Sequence, residues 1–122
     1  MMADETTTAA AETEEEREAR EMISFGIIAS AGQARSLAFE ALKAARTNDF
    51  ETAGKLLAES RDASLEAHHQ QTRLLSKEAA GEHTPVDVML VHAQDHLMTA
   101  MLAQELIGEL VNLYKVKEDK GE

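Results

Sequence analysis

Apolar residues in this chain recur at three- and four-residue steps over three long stretches, and two short breaks divide them. That period belongs to amphipathic helices, because a strand alternates with period two. The first stretch carries Ile23, Ile27, Ala31, Ala34, Ala38, Ala41 and Ala45. The second carries Ala53, Leu57, Ser60, Ser64, Ala67, Gln71 and Leu74, a polar stripe for a core, with Leu56, Ala63 and Leu75 widening its apolar face. A β-sandwich or barrel would need β-branched and aromatic residues and many turns, whereas aromatics here are 3% and proline occurs once.

The breaks carry readable chemistry. Thr13 and Glu16 are spaced as a capping box, and the acids from Glu14 to Glu18 suit the positive end of a helix. Asn48 suits a left-handed C-terminal residue and Asp49 the cap of a second helix, running from about Phe50 to about Ala79 and stopping at Gly81. Thr84-Pro85-Val86-Asp87 reads as an N-cap, a first-turn proline and a first-turn acid, opening a third helix that ends near Lys117. Helices of roughly 30 residues are about 45 Å long. The links are short, so the expected fold is an all-α antiparallel three-helix bundle over residues 13–117. Residues 1–12 are expected to be a disordered acidic tail and 118–122 a flexible C-terminus.

The formal net charge is −11, from 12 basic and 23 acidic residues. Residues 1–21 hold eight acids and two bases, so more than half of that charge sits at one end. So acidic a chain is a poor partner for nucleic acid, whose phosphates need Lys and Arg. Cysteine is absent, which removes disulfides, thiolate metal sites and thiol nucleophiles from this chain. No apolar run reaches the length of a membrane span and no signal peptide is recognised, so a cytoplasmic location is expected.

The third helix is apolar on more sides than one subunit can cover. One stripe is Val88, Val91, Asp95, Met98 and Leu102; a second is Thr99, Ala103, Leu106, Leu110 and Leu113; a third is Leu97, Met101, Ile107, Val111 and Tyr114. The excess points to a homo-oligomer built around this helix, with a wide core face inside one subunit as the alternative. Within the first stripe, Asp95 is costly unless it is paired, protonated or bound to a cation, or else lies at an edge that reaches solvent. Copies of it meeting on a symmetry axis would require shared protons or a hard cation such as Mg²⁺.

His92, Asp95 and His96 fall within little more than one turn and project from one half of the helix. His92 has three readings: a nucleophile that carries a covalent group, a metal ligand together with His96, or an ordinary surface side chain. The zinc-protease motif would need Glu directly after the first histidine, where Ala93 stands. His68, His69 and His83 read as surface or loop residues. Gln94 lies about 160° around the helix from His92, at 100° per residue.

The run Val91-His92-Ala93-Gln94-Asp95-His96-Leu97-Met98-Thr99 resembles the IIA component of the lactose/cellobiose/diacetylchitobiose branch of the bacterial sugar phosphotransferase system. Ala31-Gly32-Gln33-Ala34-Arg35-Ser36, Glu66-Ala67-His68 and Gln71-Thr72 extend the likeness, which covers about Glu21 to Tyr114. Ala93 is closer to the diacetylchitobiose and cellobiose members than to the lactose ones. The resemblance implies a phosphoryl carrier and a homotrimer of three-helix subunits, a nine-helix bundle. It implies HPr as donor, a cysteine of the IIB component as acceptor, and IIC as the membrane permease. His92 would be phosphorylated at Nε2, and Asp95 would bind a divalent cation at the trimer axis. His96 and Gln94 are the nearest candidates in sequence to stabilise the phosphoryl group, Gln94 more easily from a neighbouring subunit. The competing reading is a non-catalytic helical interaction module with a structural metal at His92 and His96.

Overall fold

The computed structural model describes residues 11–121. Three helices fill them: α1 (Glu14–Arg46), α2 (Phe50–Ala79) and α3 (Val88–Lys120). Among the described residues there is no strand, and the chain is all-α. Consecutive helices run antiparallel, so α1 and α3 run side by side in the same direction. No described helix is long and apolar enough to cross a membrane.

Local chemistry sets most of the ends. Thr13 accepts from the Glu16 backbone N–H while the Glu16 carboxylate accepts from Thr13 N–H, a complete capping box. Asn48 takes φ 63° and Gly81 takes φ 89°, the left-handed residues that end α1 and α2. Asp49 caps α2 through the Thr52 N–H. The start of α3 differs from the sequence expectation. Its cap is Asp87, whose Oδ1 accepts from the Leu90 N–H at 2.8 Å, and Thr84-Pro85-Val86 stays outside the helix. Asp87 is a strong cap in its own right, and Arg20 of α1 grips its other oxygen, a contact across 67 residues that no local signal carries. At the other end α3 continues past Lys117 to Lys120, so residues 118–120 are helical. Of the expected tail, residues 1–10 lie outside the described residues. Glu12 lies inside them and is bound to Arg20 through both carboxylate oxygens, at 2.8 and 3.0 Å.

α1 is the hub. Ala31, Ala34, Ala38, Ala41 and Ala45 are fully buried, and their small side chains let both other helices approach closely. Helices α2 and α3 meet each other far less than either meets α1. The core has two apolar layers. One joins Ile27, Ala31, Ala67, Ala93, Leu97 and Ala100; the other joins Ala38, Ala41, Ala53, Leu57, Ile107 and Val111. Truncating fully buried Leu97 to Ala is a change of the kind that costs about 2–5 kcal/mol.

Between the layers lies a polar one, which accounts for the polar stripe of α2. The Ser60 hydroxyl donates to the Ala34 carbonyl at 2.6 Å. Gln104 Nε2 lies 2.9 Å from both the carbonyl and the hydroxyl of Ser60, and 3.1 Å from the Ser64 hydroxyl. Ser64 in turn donates to the Arg61 carbonyl. All three helices are thereby tied at one level, and a sliding helix would strand buried polar atoms.

The α3 stripes sort clearly. From the third stripe, Leu97, Ile107 and Val111 are buried in the subunit. From the first, Val88 is 82%, Val91 48%, Met98 54% and Leu102 55% exposed, and Leu106 and Leu113 continue the exposed strip. This apolar face lies opposite the core side of α3 and has no cover within the subunit.

Candidate functional site

His92 sits in the second turn of α3, five residues after its cap. The core side of this turn is set by Leu90, Ala93 and Leu97, all buried. That fixes the phase of the helix and turns the His92 ring outward, where it is exposed. One turn on, His96 is half-buried. The two rings stand edge to face, with centroids 4.4 Å apart and planes at 88°. An edge-on neighbour limits the rotamers open to His92 without covering it. The result is an accessible imidazole on a rigid element, ready to offer a ring nitrogen to an electrophile that arrives from solvent.

Asp95 is exposed on the same half of the helix, between Val91 and Met98 on the uncovered stripe. It takes part in none of the salt bridges among the described residues. Its backbone carbonyl accepts from the Thr99 hydroxyl at 2.8 Å. The carboxylate is thus spare within one subunit, on the face that an oligomer would bury.

Gln94, a candidate to stabilise the phosphoryl group more easily from a neighbouring subunit, is engaged elsewhere within its own. It turns towards α2, where its Oε1 accepts from Gln71 Nε2 at 2.7 Å; the same nitrogen lies 3.3 Å from Met98 Sδ. Gln71 is buried, so this amide pair spends its capacity in bridging α2 to α3 where those helices scarcely touch. Within a subunit, Gln94 is not beside His92. The reason is the helical phase, which carries it most of the way round the cylinder from the ring. His96 is the candidate that does stand beside it.

Among the described residues, no group of three His, Cys, Asp or Glu side chains converges to hold a metal ion. Among the described residues of one subunit, His92 and His96 have no third ligand of this kind beside them. Asp95 alone supplies one hard oxygen. Of the remaining histidines, His83 Nδ1 bonds Glu78 at 2.6 Å and His69 lies 3.9 Å from Glu66. His68 is half-buried, and its Nδ1 has no hydrogen-bond partner among the described residues.

Sequence reasoning overlooked Arg20 and Gln104. The signal for Gln104 was present, because Ser60 and Ser64 in a core stripe require a buried polar partner. Arg20 gave none, since it reads as one more charge in the charged opening of α1.

Residues 22–115 match the family model described as "PTS system, Lactose/Cellobiose specific IIA subunit". The chain is 48% identical over 104 residues to the N,N'-diacetylchitobiose-specific EIIA component of Escherichia coli K12, covering 85% of this chain and 90% of that one. The crystal structure of the cellobiose-specific enzyme IIA of Bacillus anthracis superimposes with a TM-score of 0.77 at 42% identity, covering 88% of this chain and 94% of the other. A IIA(chitobiose)–HPr complex from the diacetylchitobiose branch of the Escherichia coli system matches with a TM-score of 0.69 at 47% identity, covering 80% and 95%.

Proposed function

This chain belongs to the lactose/cellobiose-specific IIA family of the phosphotransferase system, and we propose that it carries a phosphoryl group on His92 between HPr and the IIB component. The observation that carries this reading is the exposed His92 ring, set on a rigid helix inside the segment shared with the family. A related IIA has been solved in complex with HPr, which supports HPr as the donor here.

The reaction is two in-line displacements at phosphorus. A ring nitrogen of His92 attacks the phosphoryl group of phospho-HPr; the new N–P bond forms as the old one breaks, and the electron pair returns to the HPr imidazole. A cysteine thiolate of IIB then attacks the same phosphorus, and the pair returns to His92. Neither step needs a proton from this chain. Its contribution is positioning, exclusion of water and compensation of charge. The edge-on His96 ring holds the orientation of His92 and is the neighbour placed to donate to a phosphoryl oxygen. Met89, Leu90 and Val91 precede it, and the exposed Val91 offers an apolar rim for docking.

The uncovered α3 stripe supports a homotrimer, a nine-helix bundle around a threefold axis. Burying Val88, Val91, Met98 and Leu102 against their symmetry copies would cover the largest apolar face left on the subunit. Three copies of Asp95 would then converge. They supply the oxygen donors a hard divalent cation such as Mg²⁺ takes, and that cation would offset their mutual repulsion. The diacetylchitobiose relative and the cellobiose-type structure favour a β-linked disaccharide, diacetylchitobiose or cellobiose before lactose, taken up through IIC from a cytoplasmic relay. The test is a reconstituted relay: labelled phosphate should pass from phospho-HPr to the IIB cysteine only when this chain is present with His92 intact. Equal transfer by His92→Ala would sink the assignment.

A further inference from the structure

At the end of the bundle nearest His92 stands one part-buried guanidinium. The Arg20 side chain is only 11% exposed, and three of its nitrogens are engaged. Nε and Nη2 fork onto the two oxygens of Glu12 at 2.8 and 3.0 Å, and Nη1 binds Asp87 Oδ2. Asp87 is itself divided: Oδ2 is held by Arg20, while Oδ1 caps α3 through the Leu90 N–H. A cation on α1 thus fixes the rotamer of the carboxylate that starts α3. Beside it lies a cavity of about 440 Å³, lined by Ile23, Leu74, Lys77, Pro85 and Leu90 as well as Arg20.

Val88 is 82% exposed, so the first residue of α3 contributes almost no anchoring of its own. Leu90 is the first buried apolar residue, and His92 follows two positions later. Fraying of a helix proceeds from its end, and each residue lost frees the backbone donors of the next turn. Release of Asp87 would therefore loosen the turn that bears His92 before it disturbed the far apolar layer of Ile107 and Val111.

We propose that Arg20 is a positioning residue for His92: it pins the Asp87 cap of α3 to α1 and to the Glu12 lead, so that the His92 turn stays wound when a partner docks. The role rests on His92 being the phosphoryl carrier, but the clamp is testable without that reading. Lysine is no substitute, because one ammonium cannot fork onto Glu12 and reach Asp87 at once.

The experiment uses the full chain and two variants, Arg20→Met and Asp87→Asn. Methionine keeps an apolar stem beside the cavity; asparagine can still cap α3 but loses the ion pair. Amide hydrogen exchange is read at residues 90–93 and, as an internal control, at residues 104–111 in the far core. The expected result is exchange about fivefold to tenfold faster at 90–93 in both variants, with the far core unchanged. Phosphorylation by phospho-HPr should show a fall in kcat with KM little altered, and Arg20→Lys should fail to restore it. Unchanged exchange at 90–93 in the folded Asp87→Asn protein overturns the clamp. Uniformly faster exchange across the chain also overturns it, since Arg20 would then be a general stability residue. Faster exchange at 90–93 in the two variants, alongside a wild-type chain that accepts no phosphate on His92, would uphold the clamp and reject the carrier reading.

Discussion

Leu102→Lys should turn the assembly into folded monomers. Leu102 is 55% exposed in one subunit and absent from both apolar layers, so its loss leaves the subunit core intact. Fully burying such a side chain is worth about 1.5–3 kcal/mol, and about half of that, roughly 1 kcal/mol per copy, remains to be gained on assembly. Val88, Val91, Met98, Leu102, Leu106 and Leu113 are each about half exposed or more. Together they offer about 6–9 kcal/mol per subunit, an upper bound by the same rule. That is of the size needed to offset the cost of association. Lysine forfeits the leucine share and brings three ammonium groups towards the axis, each costing several kcal/mol to desolvate unless it snorkels out. A net loss of about 3 kcal/mol per subunit weakens assembly about a hundredfold for each one. Sedimentation equilibrium at micromolar concentration should give three times the 13.3 kDa chain mass for wild type and the chain mass for the variant. Circular dichroism should show equal helix content. A trimer that survives the substitution refutes the placement of this stripe on the axis, and loss of helix refutes its separation from the subunit core.

Asp95→Leu should preserve or tighten the oligomer, because an apolar residue replaces a carboxylate that assembly would desolvate; a shift to monomer in sedimentation would contradict an axial site. Gln104→Ala should lower stability by about 2–4 kcal/mol in urea unfolding at fixed subunit concentration, from about 1 kcal/mol per lost hydrogen bond plus the cavity left behind. A change below 0.5 kcal/mol, on that same rough scale, would mean the polar layer is dispensable. Acid should destabilise the fold in a defined direction. The Arg20 hydrogen bond lowers the Glu12 carboxyl, the Leu90 N–H and then Arg20 lower Asp87, and the Thr52 contacts lower Asp49. Groups with depressed values stabilise the fold above the usual carboxylate range and lose that contribution as pH falls through the depressed values. The melting temperature should hold from neutral pH down to about 5 and drop below about 4; a melting temperature that rises on acidification would contradict these contacts.

Legibility in the sequence followed the range of the interaction. Thr13 with Glu16, Asn48, Asp49 and Gly81 act within a few residues, and their roles are visible in the letters alone. The stripes of α1 and α2 gave the core as far as Gln71, because a buried face must repeat with the helix. The start of α3 lies at Asp87 rather than Thr84, and Asp87 is also held by Arg20, a partner 67 residues away. Local patterns offered two caps, Thr84 and Asp87, and did not show the distant charge that holds one of them. The three stripes of α3 were visible, but which one faced α1 was not, since all three are apolar. At the site, helical phase correctly put His92, Asp95 and His96 on one half of α3. The same arithmetic already set Gln94 apart from His92, and its bond to Gln71 shows where that amide goes.

The carrier claim is tested most directly by the intact mass of the chain after brief incubation with phospho-HPr. Wild type should gain one phosphoryl group per chain, lost again on mild acid treatment, and His92→Ala should gain none while keeping its helix content. Phosphorylation of His92→Ala to the wild-type level, or no mass gain on the wild-type chain, would contradict the account.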